Sequence, residues 1–141
     1  MKRTVIKIAS LILICCMLAL SLVSCGISMS EGKSHVEGFL AAISDEDFEK
    51  AATYMHPDVP ADVKAVFEEL ETKWSIDLKN GVTVEKYTGF QSSLHNSEVD
   101  GAVLSFSMKL KLDTATAAAE VILVENDSGF GIYNFRVGSK D

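Results

Sequence analysis

The side chains in this sequence that could move a proton or hold a developing charge are Tyr54, His56, Asp58, Tyr87, His95, Asn134 and Arg136. An isomerase or dehydratase built from them would set a carboxylate or histidine base of shifted pKa against an acid or oxyanion donor across an apolar pocket. No spacing among them fixes such a pair. His56 and Asp58 flank Pro57, where a helix end calls for polar capping groups, and His95-Asn96 falls in an expected turn. Tyr54 and Tyr87 suit half-buried sites, with the ring inside and the hydroxyl wet. Asn134 and Arg136 alternate with Ile132, which places all three on one strand face and the two polar groups at a pocket rim. A pairing with the acidic surface accounts for Arg136 equally well.

Metal and nucleotide chemistry find less. Asp45-Glu46-Asp47 lacks the glycine and spaced oxygen ligands of a calcium loop, and His35, His56 and His95 show no short ligand spacing. There is no phosphate-cradling glycine loop and no Gly-x-Ser-x-Gly elbow. Asn126-Asp127-Ser128 matches a glycosylation acceptor, but it falls where a hairpin turn is expected. No cofactor is implied.

The chemistry that spacing does specify lies at Cys25. Lys2, Arg3 and Lys7 precede an uncharged, mostly apolar run from Ile8 to Val23, which is short for a membrane span and ends in small polar residues. Leu22-Val23-Ser24-Cys25 then resembles the lipobox of bacterial lipoproteins at all four positions. The resemblance implies a signal peptide over residues 1–24, diacylglyceryl transfer to the Cys25 thiol, and cleavage before it. Ala19-Leu20-Ser21 would suit an ordinary signal peptidase better, but that cut leaves Cys25 as a lone thiol. The other cysteines, Cys15 and Cys16, lie in the signal segment, so the mature domain has no disulfide, thiolate site or cysteine nucleophile.

Composition narrows the partners. Without Lys2, Arg3 and Lys7, thirteen basic residues become ten against twenty acidic ones, a formal charge of −10. Such a surface repels phosphate backbones and anionic headgroups, so nucleic acid is excluded and membrane attachment falls to the lipid on Cys25. Two acyl chains hold a protein on a bilayer where one binds only marginally. The expected address is the extracytoplasmic side of the cell membrane.

The elements that must position the polar candidates follow from periodicity. A short tether spans residues 25–33. Val36, Phe39, Leu40 and Ile43 then recur at helical spacing, and Phe48, Ala51, Ala52 and Met55 repeat the pattern after a break at Ser44-Asp45. Ser44 is the expected cap of this second helix, and Pro57 its stop near His56. Pro60 suits the first turn of a third helix with a stripe of Val63, Val66, Phe67, Leu70 and Trp74.

After Asn80-Gly81 the period changes to two. Leu104, Phe106, Met108, Leu110 and Leu112 alternate with Ser105, Ser107, Lys109 and Lys111, which predicts a strand with one buried face. Strands are also expected from Val82 to Leu94 with a bend at Gly89, from Ala117 to Glu125, and from Phe130 to Val137. Helices followed by strands predict an α+β domain over residues 34–141, with three N-terminal helices packed on a curved four-stranded antiparallel sheet.

Phe39-Leu40-Ala41-Ala42-Ile43, the acidic break, Phe48-Glu49-Lys50-Ala51-Ala52 running to His56-Pro57, and Gly129-Phe130-Gly131-Ile132 together resemble the nuclear transport factor 2-like superfamily. Phe130 stands where such domains often carry Trp, and Gly131 where Lys is common. The resemblance implies a cystatin-like cone that in some members holds a small molecule, and a sheet through which members often dimerise. Tyr54, Trp74, Tyr87, Met108, Asn134 and Arg136 are the candidate pocket residues. The expected function is a non-catalytic module that binds a small apolar ligand, a protein partner or a second copy; a cone-pocket isomerase or dehydratase is the alternative.

Overall fold

The computed structural model describes residues 27–94 and 99–140; the stretch read as a signal peptide, residues 1–24, Cys25 and His95 lie outside them. Three helices precede four strands among the described residues: α1 (Met29–Ser44), α2 (Phe48–Ala52), α3 (Val63–Trp74), β1 (Thr83–Ser93), β2 (Ala102–Lys111), β3 (Thr116–Asn126) and β4 (Gly129–Lys140). The class is α+β, and the sheet is an open antiparallel meander in the order β1-β2-β3-β4. No helix among the described residues is long and apolar enough to cross a membrane.

Helix α1 begins inside the stretch read as tether. Ser28 and Glu31 form a reciprocal capping box: the Ser28 hydroxyl accepts the Glu31 N–H at 3.2 Å, and the Glu31 carboxylate accepts the Ser28 N–H at 3.2 Å. Polar Ser30 to Ser34 therefore supply the outer face of a helix whose inner face is Gly32, Val36, Phe39, Leu40 and Ile43. Gly32 lets this face approach the sheet closely, because a Cβ there would stand 2.4 Å from a Leu104 methyl and 2.8 Å from the Phe106 ring.

Two other caps differ from expectation. Ser44 ends α1 instead of starting α2, and its hydroxyl accepts the Gly81 N–H at 2.8 Å, tying the helix end to the start of the sheet. Asp47 caps α2 by accepting the Lys50 N–H at 3.0 Å. Between them Glu46 takes a left-handed backbone, φ 56°. Pro60 lies outside α3, where Asp62 accepts the Ala65 N–H and Val63 is the first helical residue. In each case a carboxylate satisfies the free N–H groups of a first turn and complements the helix dipole.

The alternation read in β2 is the backbone of the core. Leu104, Phe106, Met108 and Leu110 are buried, and each faces an apolar neighbour on β3: Leu123, Val121, Ala119 and Ala117. Phe39, Leu40, Ile43, Phe67, Ile76 and Leu78 complete the cluster from the helical half. Strand β1 has two register shifts, between Val84 and Lys86 and between Tyr87 and Gly89, so the expected bend at Gly89 coincides with a bulge.

A bulge also changes β4. Ile122 faces Asn134 while the next residue, Leu123, faces Ile132, so Tyr133 is an extra residue on β4. Past it the alternation is inverted. Phe135 and Val137 pack on the core, and Arg136 stands opposite Glu120, exposed on the other face. The expectation that Ile132, Asn134 and Arg136 share a face is thus overturned.

Replacing Phe106 by Ala should cost about 3–5 kcal/mol in denaturant unfolding, since its ring is buried against Gly32 of α1 and the Tyr87 and Phe90 rings of β1. Ser107→Ala, one residue on but facing outward, should change stability by no more than about 0.5 kcal/mol.

Candidate functional site

The structure does not bring the six candidate pocket residues together. Tyr87 lies on edge strand β1, where its hydroxyl donates to Glu37 Oε1 at 3.0 Å and the Lys33 ammonium sits 4.7 Å from its ring centre. Burial, then the Glu37 hydrogen bond, hold this phenol protonated well above its ordinary range. Met108 is a core residue, its register partners being Tyr87 and Ala119. Arg136 is on the outer face of the sheet, and Trp74 ends α3, its side chain outside the described ones. Met108 and Arg136 border one open hollow, beside Thr88, Ser107 and Glu120, and Asn134 lines a separate apolar cleft.

Tyr54 belongs to a different construction. Helix α2 stops at Ala52, short of the expected end near His56, because the chain that follows pairs with β4. Tyr54 C=O accepts the Ile132 N–H at 2.8 Å, and the His56 N–H donates to Ile132 C=O at 2.9 Å, a parallel bridge centred on Met55. The Tyr54 carbonyl takes a second bond, 2.8 Å, from His35 Nε2 on α1. The His35 ring also packs edge-on to Tyr54 and against Phe130, with centres 4.9 and 4.6 Å apart.

His56 is buried to 1% exposure and fully partnered. Its Nε2 lies 3.1 Å from Gly129 C=O, and its Nδ1 accepts the Asp58 N–H at 3.1 Å, a pattern that puts the ring proton on Nε2. The Asp58 carboxylate stands 3.7 Å from Nδ1, but it is half exposed and aims at the Asn126 amide, which donates to it at 3.1 Å. Asn126, then Ser128, hold the Asp58 carboxyl below its ordinary value. These groups lock the 55–58 turn to the β3–β4 hairpin. The His56 ring itself is enclosed, with both nitrogens committed to backbone groups.

An apolar cleft lies between α3, the 55–61 segment and β4. It has a volume of about 180 Å³, with Phe39, Phe67 and Phe135 at its base and Val59, Val63 and Val66 on its walls. The three rings contact one another at centre distances of 5.6–6.0 Å. Its polar groups are Tyr133 and Asn134, and its lining contains no carboxylate, histidine, lysine or arginine. A site of this kind can hold an apolar group and orient it through one or two hydrogen bonds.

Sequence reasoning found Asn134 but missed Tyr133, Phe135 and the cleft role of Val66, which was assigned to the buried stripe of α3 and is 44% exposed. The only sequence signal was the aromatic crowding of Phe130, Tyr133 and Phe135 in one strand. Among the described residues no group of three or more His, Cys, Asp or Glu side chains could hold a metal ion. No family model, curated protein or solved structure matches this chain.

Two outcomes follow. A Cβ on Gly131 would meet His56 N and Met55 C at 2.6 Å, both backbone atoms, so Gly131→Ala should destabilise by at least about 2 kcal/mol. Gly138→Ala, whose nearest contacts are ordinary at 3.5 Å, should change stability by less than about 1 kcal/mol. The second outcome concerns pH. A lowered carboxyl pKa in the fold adds stability that is complete above the ordinary value of 3.8 and lost as pH falls through the folded value. The stability gap between wild type and Asp58→Asn should therefore narrow on acidification below about pH 4, measured as the shift in urea midpoint.

Proposed function

We propose that this protein is an extracytoplasmic lipoprotein, anchored through Cys25, whose domain is a non-catalytic module that binds a small apolar ligand in the cleft between α3 and β4. The observation that carries the binding half is the make-up of that cleft: three phenylalanine rings, three valines, a methionine, an alanine, one tyrosine and one asparagine, with no general base in its lining. About 180 Å³ suits a single aromatic ring, as cavities near 150 Å³ with similar apolar walls take up benzene. The anchoring half rests on Leu22-Val23-Ser24-Cys25 and the charged and apolar stretches before it. The cone of the nuclear transport factor 2-like superfamily supports the same reading, with helices covering one face of a curved sheet; the cleft would then be its mouth. The outer face, where Ser105, Ser107 and Ala118 present small side chains, suits a protein partner or second copy.

Two measurements test the halves separately. Metabolic labelling with a fatty acid should tag the wild type and leave Cys25→Ser unlabelled; equal incorporation would remove the anchor. Titration with benzene or indole, followed by methyl NMR, should shift the Val59, Val63 and Val66 signals first, and Val66→Trp should weaken the effect at least about tenfold by filling the cleft. Shifts spread evenly over the core, or none at millimolar probe, would remove the cleft as a binding site.

A further inference from the structure

We infer that the end of the domain bearing Ile27, Met29, Phe90 and Leu94 rests on the bilayer surface, with these side chains at the boundary of headgroups and acyl chains. The inference rests on the lipid anchor at Cys25 and adds an orientation to it.

Large apolar side chains exposed on a small acidic domain are few, and here they are not scattered. Of the exposed ones, Met29 at 43%, Phe90 at 41% and Leu94 at 72% belong to one end of the molecule; Val66 belongs to the cleft. Their proximity follows from the helix–sheet contacts. Lys33 lies over the Tyr87 ring and Glu37 accepts its hydroxyl, so the face of α1 carrying residues 37 and 33 runs along β1. Met29 is one turn earlier on that face. Gly32 sits against Leu104 and Phe106, and Phe106 and Leu104 are the register partners of Phe90 and Ser92. Moving from Glu37 to Met29 along the helix is thus moving from Tyr87 toward Phe90 and Leu94 along the strand.

At this end a groove of about 420 Å³ opens between Ile27, Leu94, Ala102, Val103 and Leu104, with Ser92 and Ser93 on its β1 side. Ile27 stands only two residues after Cys25, so about 7 Å of chain separates the groove from the lipidated residue. A glyceryl group seated in the headgroup layer therefore holds this end, and not the Leu112–Thr116 end, against the membrane. The net charge of the mature chain, −10 by the count above, offers no electrostatic attraction to anionic lipids. What this end offers is apolar area, and burying a few such side chains at the interface adds to membrane binding in proportion to the area covered.

The test uses the full lipidated protein in phosphatidylcholine vesicles. Lipidation consumes the Cys25 thiol, so single replacements Phe90→Cys, Leu94→Cys and, as a control about 30 Å along the sheet, Thr114→Cys can each carry one fluorophore. Brominated acyl chains should quench the labels at 90 and 94 at least about threefold more than the label at 114, and iodide should show the reverse order. Labels at 90 and 94 that iodide reaches as readily as the one at 114 would overturn the inference. So would shielding from both quenchers, which would mean the groove is filled by the protein's own acyl chain or by a second copy. Unlabelled wild type gives an independent readout: vesicles should slow amide exchange in residues 27–33 and 90–93, and unchanged exchange there counts against the orientation. The mass of the Cys25 adduct is measured first. A missing adduct removes the anchor and this orientation with it, whereas an intact adduct with exposed labels removes the orientation alone.

Discussion

The two hydrogen bonds that Ile132 exchanges with Tyr54 and His56 decide where the helical half of this chain meets its sheet. They turn the residues after α2 into a short parallel addition to the β4 edge, a place where strand N–H and C=O groups would otherwise need water or another chain. The approach is close enough that residue 131 must be glycine. Two histidines then finish what the bridge begins. His35 brings α1 to the Tyr54 carbonyl, and His56 joins the Asp58 turn to Gly129. A buried imidazole can accept at one nitrogen and donate at the other, which a hydroxyl could match only without the ring's bulk. Histidine here is a structural bolt, and it explains why a residue type that suggests acid–base chemistry in the sequence is spent on the fold.

The consequence at the other end of the core is that α1 must lie low on the sheet. Its contacts with β4 through His35 and with β1 through Lys33 and Glu37 fix both sides of the helix, and Gly32 removes the side chain that would hold it off Leu104 and Phe106. Phe39 is then placed to meet Phe67 and Phe135, so the aromatic base of the cleft is a product of the same seating. Helix α3 touches this cluster through Val63 and Phe67 and leaves Val66 on the open side.

Much of this was legible in the sequence, and the parts that were not share a cause. The strict alternation of Leu104 to Leu110 and the helical spacing of Val36 to Ile43 survive because each element buries one face over its full length. The β4 reading failed at Tyr133, because a bulge inserts one residue there and inverts the side chains that follow as far as Val137, where a second register shift begins. The cap readings failed because Ser44, Asp45 and Asp47 are all good cap residues within four positions, and the choice was made by Gly81, thirty-seven residues away. The end of α2 failed for a similar reason: Pro57 forbids a helix beyond it, but Ile132 ends the helix earlier by taking the backbone groups into a sheet. As for the cleft, its walls come from α1, the 55–61 segment, α3 and β4, and no local pattern announces a surface assembled from four places.

The arrangement also separates the two proposed roles. The cleft borders β4, and the apolar end near Cys25 borders β1, at the opposite edge of a sheet whose order is β1-β2-β3-β4. Each interior strand spacing adds close to 5 Å, so about 15 Å of packed sheet lies between the two edges. On the proposed orientation, the bilayer meets the strand end at Ile27 and Leu94 while the cleft, displaced to the β4 edge, stays open to solvent, although both surfaces are apolar. A membrane-facing cleft would be filled by lipid and useless for a soluble ligand. Keeping it on the far edge, with Asn134 and Tyr133 as its polar markers, is what the proposed tether and the proposed binding role together require.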